Sequence, residues 1–282
     1  MWQAPPAPAA FETEWLPVLD MPAPGPQNRL TVLFRVILLI PQFVVVWVLS
    51  VVAFFVAVLG WFGALVLGRL PVFAADYLSS YVPYETRVNT YLLLTHDRYP
   101  PFAFRTPEYP VRVELRPGGE LNRLAVFFRL VLAIPAMIVQ SLLYAGWWTV
   151  ALISWLVVLV LGRMPQPLFE ATAAILRYRM RYMAYFLMLT AAYPKRLFGD
   201  EPGSVPGGPV SATRPLVLGG GGRGLLIAFL ILGLLSSVAG SVTSSFTDDD
   251  NDDNPAERVT APLHPGPLLP GRPAPGPRAA AR

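Results

Sequence analysis

Three stretches without one acidic or basic side chain, Val36–Leu67, Leu130–Gly162 and Gly224–Thr247, limit what this 282-residue chain can fold into. About 20 apolar residues in a helix cross a hydrocarbon core of roughly 30 Å, so each run is long enough to span a bilayer. Charged residues are only 14% of the chain and hydrophobic residues 54%. A soluble pair of domains needs about 25% charged residues to keep its surface wet. The expected class is therefore an all-α membrane protein.

The second constraint is internal duplication. Asn28-Arg29-Leu30 returns as Asn122-Arg123-Leu124, an offset of 94 residues, and the same offset pairs many positions further on. Phe34-Arg35 matches Phe128-Arg129, Ile40-Pro41 matches Ile134-Pro135, and Trp61 matches Trp155. Leu65-Val-Leu-Gly68-Arg69 recurs as Leu159-Val-Leu-Gly162-Arg163, and Tyr84, Arg87, Tyr91 and Tyr99-Pro100 as Tyr178, Arg181, Tyr185 and Tyr193-Pro194. Two apolar helices can look alike by chance. Matched Arg, Pro, Gly and Tyr positions require a repeat.

The order Arg-Leu-x3-Phe-Arg, Ile-Pro, a long apolar run with Trp, Leu-Gly-Arg-x-Pro and a closing Tyr-Pro resembles the DUF4389 family of bacterial membrane proteins. The resemblance covers Asn28–Phe104 and Tyr109–Phe198. The second copy departs from the first where Ala191-Ala192 replaces Asp97-Arg98. It implies a multi-pass protein of the bacterial inner membrane and assigns no activity.

The expected organisation is an irregular segment 1–27, repeat one at 28–104, a linker or short strand at 105–121, and repeat two at 122–198. A Gly/Pro-rich linker 199–223, a transmembrane helix 224–246 and a disordered acidic, Pro-rich tail 247–282 follow. Each repeat reads as a hydrophobic helix or hairpin, with Pro41 and Pro135 near its start. If a hairpin, it turns near Ser50 and near Gln140-Ser141. Gly68 and Gly162 end these helices, because glycine tolerates the left-handed C-terminal position and the proline three residues later blocks continuation. The following segments, 72–98 and 166–192, carry apolar and tyrosine stripes at helical spacing. These suit a helix at the membrane interface, a helix packed on the other repeat, or both. Small residues Ser236, Ser237, Gly240, Ser241 and Ser244 in the last span could admit a neighbouring helix. Eight Lys/Arg against three acids make 163–223 the best cytoplasmic segment, which places the tail outside.

With no cysteine, thiolate chemistry and disulfides are excluded. Met1-Trp-Gln-Ala-Pro-Pro lacks the basic start of a cleavable signal peptide. His96 and His264 have no second ligand at metal spacing, so His96 is expected at the surface. No cofactor and no nucleic-acid partner are expected, since the arginines flank apolar runs, where headgroups and topology account for them. The bilayer itself is the expected partner, through anionic lipids or a second membrane protein. The residues placed to make such contacts are Arg29, Arg35, Arg69, Arg123, Arg129 and Arg163. Scaffold or accessory subunit, transporter or channel, and lipid-modifying enzyme are the three functions weighed, in that order.

Overall fold

The repeated Asn-Arg-Leu opens a helix because asparagine can cap it. In a computed structural model, which describes residues 15–200 and 210–252 with side chains as far as Ala239, the Asn28 side chain accepts from Leu30 N at 2.9 Å. Asn122 does the same for Leu124 N at 2.9 Å. From Asn28 a single helix, α1, runs Arg29–Leu67. It passes through Pro41 and Ser50 without a turn, so repeat one is a helix and not a hairpin. Gly68 closes it in the left-handed conformation, φ 71°.

Repeat two follows the same path in three pieces, α3 (Arg123–Phe127), α4 (Arg129–Thr149) and α5 (Ala151–Leu161), closed by Gly162 at φ 67°. The breaks are single residues, Phe128 and Val150, with near-helical backbone angles. They interrupt the rod without reversing it, and Gln140-Ser141 lies inside α4. The second break comes three residues after Trp147, a bulky ring on the buried stripe where α1 carries Ala53.

After each glycine the chain folds back. Helix α2 (Val72–Leu92) lies antiparallel on α1, and α6 (Gln166–Phe186) on α4. Most of the side chains of α2 and α6 are buried, because the two helices also pack on each other. Tyr81, Tyr84, Tyr91, Tyr178 and Tyr185 of their stripes are thus interior, with Tyr77, Tyr182 and Phe186 half-buried. Both end on a non-glycine residue at positive φ, Leu94 at 64° and Met188 at 62°, again matched positions.

The two repeats contact each other reciprocally. Trp61 Nε1 donates to Val126 O at 2.9 Å, and Trp155 Nε1 donates to Val32 O at 2.8 Å. Leu121 N donates to Gly68 O at 2.8 Å, and Gln27 N to Gly162 O at 2.7 Å. Each bond is the other shifted by 94 residues with the repeats exchanged. That is the signature of a twofold axis, along which an interface is self-complementary. It makes α1 and the α3–α5 rod antiparallel, each beginning where the other ends.

The axis also passes through a short ribbon. Strand β1 (Val18–Asp20) pairs antiparallel with β2 (Arg112–Glu114), and Leu19 faces Val113, its own equivalent. Residues 15–27 are therefore part of the repeat body, with Leu19 and Met21 buried. From the Gly/Pro-rich linker, Ser211–Arg214 docks on this ribbon. Thr213 Oγ1 donates to Leu19 O at 2.7 Å and accepts from Met21 N at 2.9 Å. Residues 1–14, 201–209 and 253–282, with most of the expected N-terminal irregular segment and tail, lie outside the described residues.

Helix α7 (Gly220–Asp252) starts four residues earlier than its uncharged run. It meets α4 at two glycines: a Cβ on Gly146 would sit 1.8 Å from Phe229 O, and one on Gly233 1.9 Å from Leu142 O. The close approach therefore lies N-terminal to the serine-rich half, in which Ser237 donates its hydroxyl to its own helix at Gly233 O. By length and composition three helices could cross a membrane: Arg29–Leu67, Arg129–Thr149 and Gly220–Ala239.

The reciprocal indole bonds give a direct check on the symmetry. Trp61→Phe and Trp155→Phe should each cost about 1 kcal/mol for the lost hydrogen bond, and the double variant roughly the sum. Thermal unfolding in detergent measures this, and a large effect from one ring alone would contradict equivalence.

Candidate functional site

Three features of the repeat body are candidates for a site, two built from buried polar side chains and one from apolar walls. The first surrounds the matched arginines. Arg35 is buried on α1, donates to Tyr91 O at 2.9 Å and Gln27 Oε1 at 2.9 Å, and pairs with Asp97 at 3.1 Å. Its guanidinium lies 4.3 Å from the Tyr91 ring centroid. Arg129 repeats the pattern, donating from Nε to Tyr185 O at 2.7 Å and also to Thr190 O, with its guanidinium 4.1 Å from the Tyr185 ring. It has no Asp97 to pair with, because Ala191 stands there. Two of the six arginines expected at headgroups thus point inward and hold the end of the following helix. The two carbonyls lie at helix ends, where Tyr91 O accepts one backbone bond from Leu94 N at 3.2 Å and Tyr185 O one from Met188 N at 3.0 Å, and the arginine is the second donor to each.

The other four, Arg29, Arg69, Arg123 and Arg163, are exposed. Arg29 donates to Val160 O at 3.2 Å, and Arg123 lies beside Gly68, so each repeat's first arginine sits at the C-terminal end of the other repeat's rod. That is the end where a cation is favoured by the helix dipole.

The second group is on the axis. Glu85 of α2 accepts from Arg179 of α6, with Nε at 3.0 Å and a closer second bond. These two positions are themselves equivalent, 94 residues apart. Where an exact twofold would set like against like, the duplicated chain carries opposite charges. Asn89 donates to Glu85 at 2.8 Å and accepts from the Tyr144 hydroxyl at 2.7 Å, extending the network to α4. Sequence reading passed over this pair. The repeat offset plus opposite charge at matched positions was the available signal.

Beside them, Arg87 and Arg181 donate to backbone carbonyls of the loops after their helices, Arg87 to Ala103 O and Arg181 to Lys195 O, and Arg181 also to Pro17 O. Burial, then the neighbouring Arg177, pulls the Arg181 pKa down to about 9. Arg177 pairs with Asp200 at 2.6 Å.

The third feature is a pair of apolar crevices. One, of about 360 Å³, is walled by Val36, Leu92, Leu94, Trp148, Leu152 and Trp155. The other, about 340 Å³, is walled by the matched positions Leu130, Phe186, Met188, Phe54, Val58 and Trp61. Each lies between the start of one rod and the second half of the other. Apart from Arg35, which also lines the first crevice, their walls are hydrocarbon and aromatic ring, which suits an acyl chain or another apolar group.

Among the described residues no three His, Asp or Glu side chains gather where they could hold a metal ion. His96 is buried, contrary to its expected surface position, with Nε2 3.2 Å from the Tyr109 hydroxyl. Tyr109 comes from the inter-repeat segment, which folds back over it. Burial depresses the His96 pKa from 6.5 to about 4. The unfolded chain therefore takes up a proton that the folded one refuses. Stability conferred by a neutral His96 is full above pH 6.5 and lost as pH falls towards 4, roughly 3 kcal/mol in all. Thermal unfolding in detergent at pH 7.5 and pH 4.5 should show a smaller loss for His96→Gln than for the native chain.

The family model for the domain of unknown function DUF4389 matches residues 29–103 and again 123–197, more than half the chain. The chain belongs to the DUF4389 family. The two matches begin at the two capped arginines, so the family unit is one rod, its returning helix and the loop that closes on Tyr-Pro. No match was found among curated proteins or among solved structures. Arg35 with Tyr91 and Asp97, Arg129 with Tyr185, and the walls of both crevices lie inside the DUF4389 units, with Gln27 just outside. The ribbon and α7 lie outside them.

Proposed function

We propose that this DUF4389 protein is an integral membrane protein of the bacterial inner membrane that acts as a scaffold or accessory subunit of a membrane complex, without catalysis of its own. One observation carries the reading: the body spends its polar groups inward and offers hydrocarbon outward. Arg35, Arg129, Glu85 and Arg179 are engaged inside the repeats, whereas Trp47 is 67% exposed, Phe54 62% and Leu152 74% on the rods. Apolar surface of this extent is stable only against lipid or another apolar protein. A transporter would need polar groups lining a path, and Arg35, Arg129, Glu85 and Arg179 are instead engaged by backbone carbonyls or by each other.

A second reading, lipid handling, is favoured by the duplicated crevices together with the four exposed arginines. Affinity purification of the tagged chain in mild detergent, with mass spectrometry of proteins and lipids, separates the two. A recurrent stoichiometric protein partner supports the scaffold. A lone protein that retains one lipid class, and loses it when Leu152 and Val58 are widened to Trp, supports lipid handling and sinks the scaffold reading.

A further inference from the structure

We propose that the two DUF4389 repeats lie flat in a single leaflet, with their pseudo-twofold axis along the membrane normal, instead of crossing the bilayer. This rests on the membrane reading above and adds the orientation. The occupant of the apolar face is then the acyl layer of one leaflet, rimmed by its phosphate headgroups.

Length is the first ground. Helix α1 has 39 residues, about 58 Å of helix. Its exposed apolar side chains continue from Leu30 to Leu67, both ends included. An upright helix would bury about 30 Å of that in hydrocarbon and leave the remainder among headgroups and water. A helix in the membrane plane keeps all of it in contact with lipid.

Symmetry is the second. A twofold axis relating antiparallel rods is perpendicular to their mean direction and meets them at mid-length. The β1–β2 ribbon sits on that axis, packed on α2 and α6, which pack in turn on α1 and α4. The ribbon carries exposed Arg112 and Glu114, and Glu114 pairs with Arg214 at 2.8 Å. Upright rods would hold these charges at the bilayer midplane, where each costs about 2.5–3.5 kcal/mol or more. Flat rods place the ribbon on the far side of the α2–α6 layer, in water.

Charge is the third. Arg29 and Arg163 lie at one end of the rod pair, Arg69 and Arg123 at the other. The twofold makes the two ends equidistant from the membrane in the flat orientation. All four exposed cations then reach the phosphates of the same leaflet. Helix α7 has no counterpart in the repeats and is not bound by this symmetry.

The chain has no cysteine, so single cysteines can be placed without removing any. Gly119→Cys marks one end of the rods, Gln166→Cys the other, Glu114→Cys the ribbon and Phe55→Cys the middle of α1. All four positions are exposed in the chain. A membrane-impermeant maleimide is applied to intact cells and to inside-out vesicles. Gly119→Cys, Gln166→Cys and Glu114→Cys are expected to label from one and the same side, with Phe55→Cys protected until detergent is added. Labelling of Gly119→Cys and Gln166→Cys from opposite sides, with Glu114→Cys protected from both, would overturn the proposal and leave the membrane reading intact. Labelling of all four without detergent, in a chain that washes off membranes with alkaline carbonate, would overturn both.

Discussion

Gly146→Leu is expected to release α7 from the repeat body. A Cβ at this position falls 1.8 Å from the carbonyl oxygen of Phe229, and the obstacle is backbone, which has no rotamer to escape into. Gly233 poses the same problem in reverse, 1.9 Å from Leu142 O. Accommodation needs the two helices to separate by several ångströms, which exposes Leu226 and Phe229, now fully buried. Losing two such side chains from the core costs about 3–6 kcal/mol at roughly 1.5–3 kcal/mol each. Unfolding in detergent should begin about 10 °C lower. Leu235→Ala, on the exposed side of α7, is the control and should change little. An unchanged midpoint for Gly146→Leu would mean that the glycine contact does not hold the helix.

The other large effect belongs to the axis. Glu85→Arg should cost about 3–5 kcal/mol, because it sets two guanidiniums against each other in a site where the Glu85 side chain is only 4% exposed. Adding Arg179→Glu restores opposite charges with the partners exchanged, and equivalence under the twofold makes the exchange geometrically possible. Recovery should be incomplete. Arg179 also lies 4.8 Å from the Tyr144 ring, and the position matching Tyr144 is Ser50, so about 1 kcal/mol of cation–π attraction is not regained. The measurement is a double-mutant cycle on thermal stability. Additive losses in the double variant would contradict a direct pair.

Both effects arise from contacts between segments far apart in the chain, and this separates what could be read from the sequence from what could not. The duplication, the helix ends at Gly68 and Gly162 and the apolar rods are local or periodic properties, so they stand in the order of residues. The repeated Asn28 and Asn122 could have been read as helix caps as well. The ribbon was half legible: Tyr109–Arg116 alternates with period two, while its partner Val18–Asp20 shares too little with Arg112–Glu114 to be recognised as its equivalent.

The arginines show why the remainder was hidden. Next to an apolar run, an arginine reads as one that reaches for phosphate. Arg35 instead spans 56 residues to the carbonyl of Tyr91, and Arg129 the same distance to Tyr185. Nothing at position 35 or 129 distinguishes them from Arg29 or Arg69, because burial is a property of what folds back over a residue.

The sequence by itself thus determined the kind of elements, their doubling and their apolar surfaces. The tertiary structure decided that the doubled units face each other antiparallel, which arginines turn inward and where opposite charges meet. A repeat offset states which positions are equivalent and carries no information about whether equivalents touch. That depends on an axis, and the axis is set by the long-range indole, glycine and ribbon contacts acting together.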